Sequence, residues 1–143
     1  MNELIEQLRL HEGVESHAYK DHLGLTTIGV GRCIEEGSLG LSDDEIAYLL
    51  SNDIARCEQE IAERYPWFDD LDVVRQDALI DMAFNLGITR LSQFTNMIDA
   101  LSESRFADAA TEALDSRWAR QVGQRAQTVA EMIRTGERIL NKI

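Results

Sequence analysis

The chain reads as α+β: a mostly helical fold with one small antiparallel sheet. Three observations predict this. Apolar residues recur at helical spacing over most of the length, strand-favouring residues gather in one stretch at 16–31, and a capping box marks a long helix between that stretch and the helical remainder. The outline is a small sheet lobe, a linking helix and a larger helical lobe.

Residues 2–12 form the first predicted helix, because Leu4, Ile5 and Leu8 share a face and Gly13 stops it. In 16–31, Tyr19, Thr26, Thr27, Ile28 and Val30 favour strands, with a turn at Asp21-His22-Leu23-Gly24. Ser42-Asp43-Asp44-Glu45 is the capping box: Ser42 meets a free backbone N–H, and Glu45 reaches back. Ile46, Leu49, Leu50, Cys57 and Ile61 then repeat at helical spacing to about Arg64, before Pro66. Residues 71–86 are apolar nearly all round, which predicts a buried central helix closed by Gly87. Three or four shorter helices follow. Phe94, Met97, Ile98 and Leu101 line one, Phe106, Ala109, Ala110, Ala113 and Leu114 the next, and Ala126, Val129, Ala130 and Ile133 the last, with Gly136 as its cap.

At 143 residues the chain is one-domain size. The predicted lobes are a sheet lobe over about 13–64 and a helical lobe over about 65–143 joined by helix 2–12. A net charge of −12 argues against a basic nucleic-acid face and against stable association with anionic membranes. No apolar run approaches the roughly 18 residues of a membrane span. The start lacks a basic and then apolar leader, so synthesis in the cytoplasm is expected. Cys33 and Cys57 read as reduced thiols. They lack His or Cys neighbours at zinc spacing, and His11, His17 and His22 show no ligand spacing, so neither metal nor cofactor is expected.

The chemistry-bearing stretch is Leu10 to Gly31. Glu12 ends a helix, Asp21 sits in a turn, and Thr27 lies on the returning strand. Glycoside hydrolysis needs such a set: one carboxylic acid to protonate the leaving oxygen, and a second group to hold a water or attack from the other face. Alone the residues prove nothing among 26 carboxylates. Glu12 also suits a helix end, Asp21 a self-bonded turn, and Thr27 a strand. Gly29 and Gly31 permit either close backbone approach to a sugar or a strand bend.

The spacing is more specific. Glu12-Gly13, Tyr19-Lys20-Asp21 and Gly24-x-x-Thr27-Ile28-Gly29-x-Gly31 resemble the T-even phage lysozyme family. The likeness continues through Leu71-Asp72-x-Val74-Arg75, Phe94-Thr95-Asn96, Ser116-Arg117-Trp118, Arg125-Ala126 and Arg134-Thr135-Gly136, in order over nearly the whole chain. It implies a lysozyme fold with its active site between the lobes, and a monomeric muramidase acting on peptidoglycan. By the same resemblance Glu12 is the general acid, and Asp21 with Thr27 holds the attacking water, an inverting arrangement. Gly31, Cys33, Phe84, Asn85 and Met97 fall at substrate-binding positions. Arg125 matches an arginine near the acid. Arg32 stands where the family commonly has His and Asp53 where its partner lies, which implies an Arg32–Asp53 pair.

There are departures. Cys33, Met97 and Glu112 differ from better-known members, the 32–42 segment is short, and the charge is reversed. Trp118 reads as core rather than sugar platform. The implied role is host lysis, with accumulation in the host cytoplasm and release through a holin-type pore. Two other readings stay open: a lytic transglycosylase using one Glu, and a non-catalytic acidic binding module.

Overall fold

The structure, a computed structural model, describes residues 2–139. Its fold is α+β and 66% helical, with eight α-helices and one three-stranded sheet among the described residues. By internal contacts the chain divides into two compact units, one reaching to Ala47 and one starting at Tyr48. The division falls inside a helix rather than at its end.

The first unit begins with α1 (Asn2–Glu12), which ends where Gly13, at φ 79°, donates its N–H to the Arg9 carbonyl at 2.9 Å. Its sheet is β1 (Glu15–Lys20), β2 (Thr26–Gly29) and β3 (Arg32–Cys33), antiparallel in the order β1-β2-β3. Tyr19 pairs with Thr27 and Thr27 with Cys33, so Thr27 is central and only 3% exposed. The third strand lies just beyond the predicted stretch, where two residues are too few to show a pattern.

The capping box forms as predicted at the start of α2 (Asp43–Arg64). Ser42 Oγ accepts from the Glu45 N–H at 3.2 Å, and Glu45 Oε1 accepts from the Ser42 N–H at 2.9 Å. These bonds satisfy donors that a helix start leaves unpaired. The helix stops before Pro66, which opens a short 3₁₀ turn, Pro66–Asp70.

The second unit is all helical from there: α3 (Val73–Leu86), α4 (Ile88–Leu91), α5 (Thr95–Ser102), α6 (Phe106–Leu114), α7 (Arg117–Val122) and α8 (Gln124–Thr135). Asp72 caps α3 by accepting the Arg75 N–H, and Gly87 closes it. The core joins Ile61 and Phe68 to Leu79, Met82, Leu91, Met97, Leu101, Val129 and Ile133. Two expectations need correction. Helix α3 is not buried all round: Ala78, Leu79, Met82 and Ala83 are buried, but Val73 and Phe84 are 63% and 45% exposed. Five helices follow α3, not three or four, because α4 and α7 are too short to display a full helical period. Gly136 caps α8 in the left-handed region, as predicted.

Candidate active site

Glu12, Asp21 and Thr27 all belong to the first unit, and each is placed by local structure. Asp21 organises the β1–β2 turn: its Oδ1 accepts the Leu23 and Leu25 N–H groups, both at 2.9 Å, while its own N–H donates to the Leu25 carbonyl. The carboxylate is thereby fixed beside the first residues of β2. Thr27 follows, and its hydroxyl donates to the Leu25 carbonyl at 2.9 Å. That bond uses the only hydroxyl proton, so the oxygen faces any further partner as an acceptor.

Glu12 stands at the other end of β2. Its carboxyl end lies against the Cα of Gly31, just past the strand: a Cβ built on Gly31 would be 2.7 Å from Glu12 Oε2 and 3.0 Å from Cδ. A four-residue strand covers about 10 Å in three steps of about 3.3 Å. Asp21 is thus anchored just before β2 and Glu12 lies against the residue two past its end. Lys20, Thr26 and Glu35 brace this hairpin. Lys20 Nζ donates to Thr26 Oγ1 at 2.6 Å and pairs with Glu35, whose Oε1 accepts the Thr26 N–H. Those Thr26 bonds, with the nearby Lys20 charge, hold the Glu35 carboxyl below its usual range. The brace escaped the sequence reading, because Glu35 and Thr26 meet only through the hairpin.

The supporting cations each have a defined partner. The partner expected for Arg32 was Asp53; the partner it has is Glu45, at 2.9 Å, with the Gly40 carbonyl at 3.0 Å. Glu45 is already turned back by the capping box, whereas Asp53 meets Arg56 one turn along its own helix at 2.8 Å. Arg125 is held by Asp81, with Nε to Oδ1 at 2.7 Å and Nη2 to the Asp81 carbonyl at 3.1 Å. The 44-residue separation left no local signal for that pair.

The expected substrate-binding positions are spread over both units. Gly31 lies in the β2–β3 turn and Cys33 on β3, opposite Thr27. Phe84 lies in a shallow apolar groove with Leu50, Ile54 and Ile80, bordered by Asp81 and Arg125. Asn85 is engaged internally: its Oδ1 accepts the Trp118 indole N–H at 2.8 Å. Trp118 is 4% exposed and meets the Phe94 ring edge-on, so it is core, as predicted. Met97 is buried at the floor of a pocket of about 370 Å³ edged by Arg90, Glu112 and Arg117. Both cysteines are free: Cys33 is half-buried, and burial pushes the Cys57 thiol up. Among the described residues, no three His, Cys, Asp or Glu side chains stand close enough to hold a metal.

A family model described as phage lysozyme matches residues 9–134, a span holding Glu12, Asp21, Thr27 and Arg125. The chain belongs to the phage lysozyme family. Membership of the phage lysozymes supports a lysozyme-type peptidoglycan hydrolase. Probable T4-type lysozyme 1 and probable T4-type lysozyme 2 of Dictyostelium discoideum are each 26% identical to it. Those alignments cover 92% and 95% of this chain and 93% and 96% of theirs. The pre-baseplate central spike protein Gp5 of Enterobacteria phage T4 is 27% identical over 93% of this chain, but only 28% of its own length takes part.

Proposed function

We propose that this phage-type lysozyme hydrolyses the β-1,4 bond between N-acetylmuramic acid and N-acetylglucosamine with inversion. Glu12 gives its proton to the leaving glycosidic oxygen. A water donates one hydrogen to Asp21 and the other to Thr27 Oγ, whose own proton is committed to Leu25. Its free lone pair attacks the anomeric carbon, the C–O bond breaks, and Asp21 keeps the proton. The observation that carries this reading is the order along β2: an anchored carboxylate, an acceptor hydroxyl, then a second carboxylate beside Gly31. Inversion requires roughly 6.5–9.5 Å between the two carboxyls, room for the water, against roughly 5–5.5 Å for retention.

The test is clearance of outer-membrane-permeabilised Gram-negative cells by wild type and Glu12→Gln. Loss of an acid should lower the rate about 100-fold or more. Equal clearance would remove Glu12 from the chemistry, and no clearance by either protein would favour a non-catalytic binding module. NMR of freshly formed product reads the anomer, and an anhydro product would mean a lytic transglycosylase.

The same reading gives a monomer without nucleic-acid partners, acting in host lysis from the host cytoplasm through a holin-type pore. The acidic balance supports it by disfavouring nucleic acid and anionic membranes. Expression with and without a holin, followed by lysis timing, tests that placement.

A further inference from the structure

Gly31 has an unusual neighbour. Of the two glycines that bound the β2–β3 turn, Gly29 and Gly31, both have φ of 71°. A Cβ at Gly29 would meet nothing within 4 Å, whereas one at Gly31 would meet Glu12 Oε2 at 2.7 Å, Cδ at 3.0 Å and Cγ at 3.2 Å. The two positions share a backbone demand and differ in what stands over them.

We infer that Gly31 is a positioning residue for Glu12: the space left by its missing side chain is the seat of the acid's carboxyl end. This rests on Glu12 being the acid. The contact is with the flexible end of a glutamate, not with backbone, so a methyl group there is accommodated by swinging the carboxyl away. The fold survives while the proton donor leaves its place. A misplacement of about 1 Å is enough to cost on the order of 100-fold in rate, because proton transfer depends steeply on geometry. The role differs from saccharide contact, which would act on substrate binding instead.

The experiment compares Gly31→Ala with Gly29→Ala. Each carries the strain of a left-handed φ, so both should lower Tm by a similar amount. Gly31→Ala should lower kcat by about 10- to 100-fold with KM within about twofold, and Gly29→Ala should keep kcat within about twofold. Glu12→Asp, one methylene shorter, vacates the seat. Its own loss should shrink at least fivefold when placed in the Gly31→Ala background. Equal kcat losses in the two glycine variants would overturn the inference, as would a rise in KM alone or additive losses in the double variant. Failure of Gly31→Ala to fold where Gly29→Ala folds would also overturn it, since the side chain would then not be the part that yields. Full activity of Glu12→Gln would instead overturn the catalytic reading, a separate result.

Discussion

The Arg75 guanidinium sits over the Phe106 ring, its Cζ 3.6 Å from the centroid. The same group donates to the Ile133 and Arg134 carbonyls at 2.6 and 3.2 Å and pairs with Asp72 at 2.9 Å. One cation thus joins the start of α3, the face of α6 and the carbonyl end of α8, where a helix leaves acceptors unpaired. Arg75→Met should cost about 3 kcal/mol in urea unfolding, through lost charge-assisted bonds and the ring contact. Arg75→Lys should recover only part, lacking the planar fork.

Gly136 depends on that cation. A Cβ there would lie 2.9 Å from Arg75 Nη1, at a φ of 71°. Gly136→Ala should therefore cost more than the roughly 1–2 kcal/mol of a left-handed alanine. In the Arg75→Met background its cost should fall toward that value, which a double-mutant cycle reads. Strict additivity would contradict the contact.

Asn85→Ala should behave as a stability change. It strands a buried indole N–H, a loss of about 1–3 kcal/mol. Melting curves should move with little change in KM. A raised KM at unchanged Tm would assign Asn85 to the substrate instead.

Acid should destabilise the protein through three braced carboxylates. The Ser42 N–H and then Arg32 hold Glu45 below 4.5, and the Thr26 bonds do the same for Glu35. Burial resists ionisation of Asp72, but bonds from Arg75 outweigh it and leave it below 3.8. The unfolded chain therefore takes up protons first as pH falls. This stability is complete above about pH 4.5 and is lost on descending through the lower folded values. Urea midpoints should fall below pH 4.5, less steeply in Glu45→Gln. A guanidinium keeps its charge across neutral pH, so the Arg32–Glu45 link should hold unchanged from pH 6 to 8.

Salt should raise the rate on permeabilised cells. At −12 the enzyme is repelled by an anionic wall, and screening shortens that repulsion from about 30 Å at 0.01 M to about 8 Å at 0.15 M. An increase of about 3- to 10-fold is expected in a turbidity assay, followed by a plateau. A monotonic decline would argue for a cationic contact with the wall.

Local signals were legible and distant ones were not. The Ser42–Glu45 box, the stop before Pro66 and the glycine caps at Gly87 and Gly136 depend on residues within a turn of each other, and all stand as read. The two-residue β3 and four-residue α4 are shorter than any periodicity. Arg75 and Ile133 are 58 residues apart, and no spacing rule joins them. For the site, chain pattern alone yielded a helix end, a turn and a strand. Family spacing singled out Glu12, Asp21 and Thr27 among many carboxylates and hydroxyls. In place of the expected Arg32–Asp53 pair, Arg32 meets Glu45, already folded back by its cap, and Asp53 meets Arg56 on its own helix.

The two thiols differ in a way that can be used. Cys57 is 4% exposed and burial suppresses its ionisation, whereas Cys33 is only half-buried and sits across the ladder from Thr27. An alkylating fluorophore at mild pH would therefore favour one sulfur, directly across the ladder from Thr27, without any engineered cysteine. The protein comes with a built-in attachment point for watching saccharide arrive.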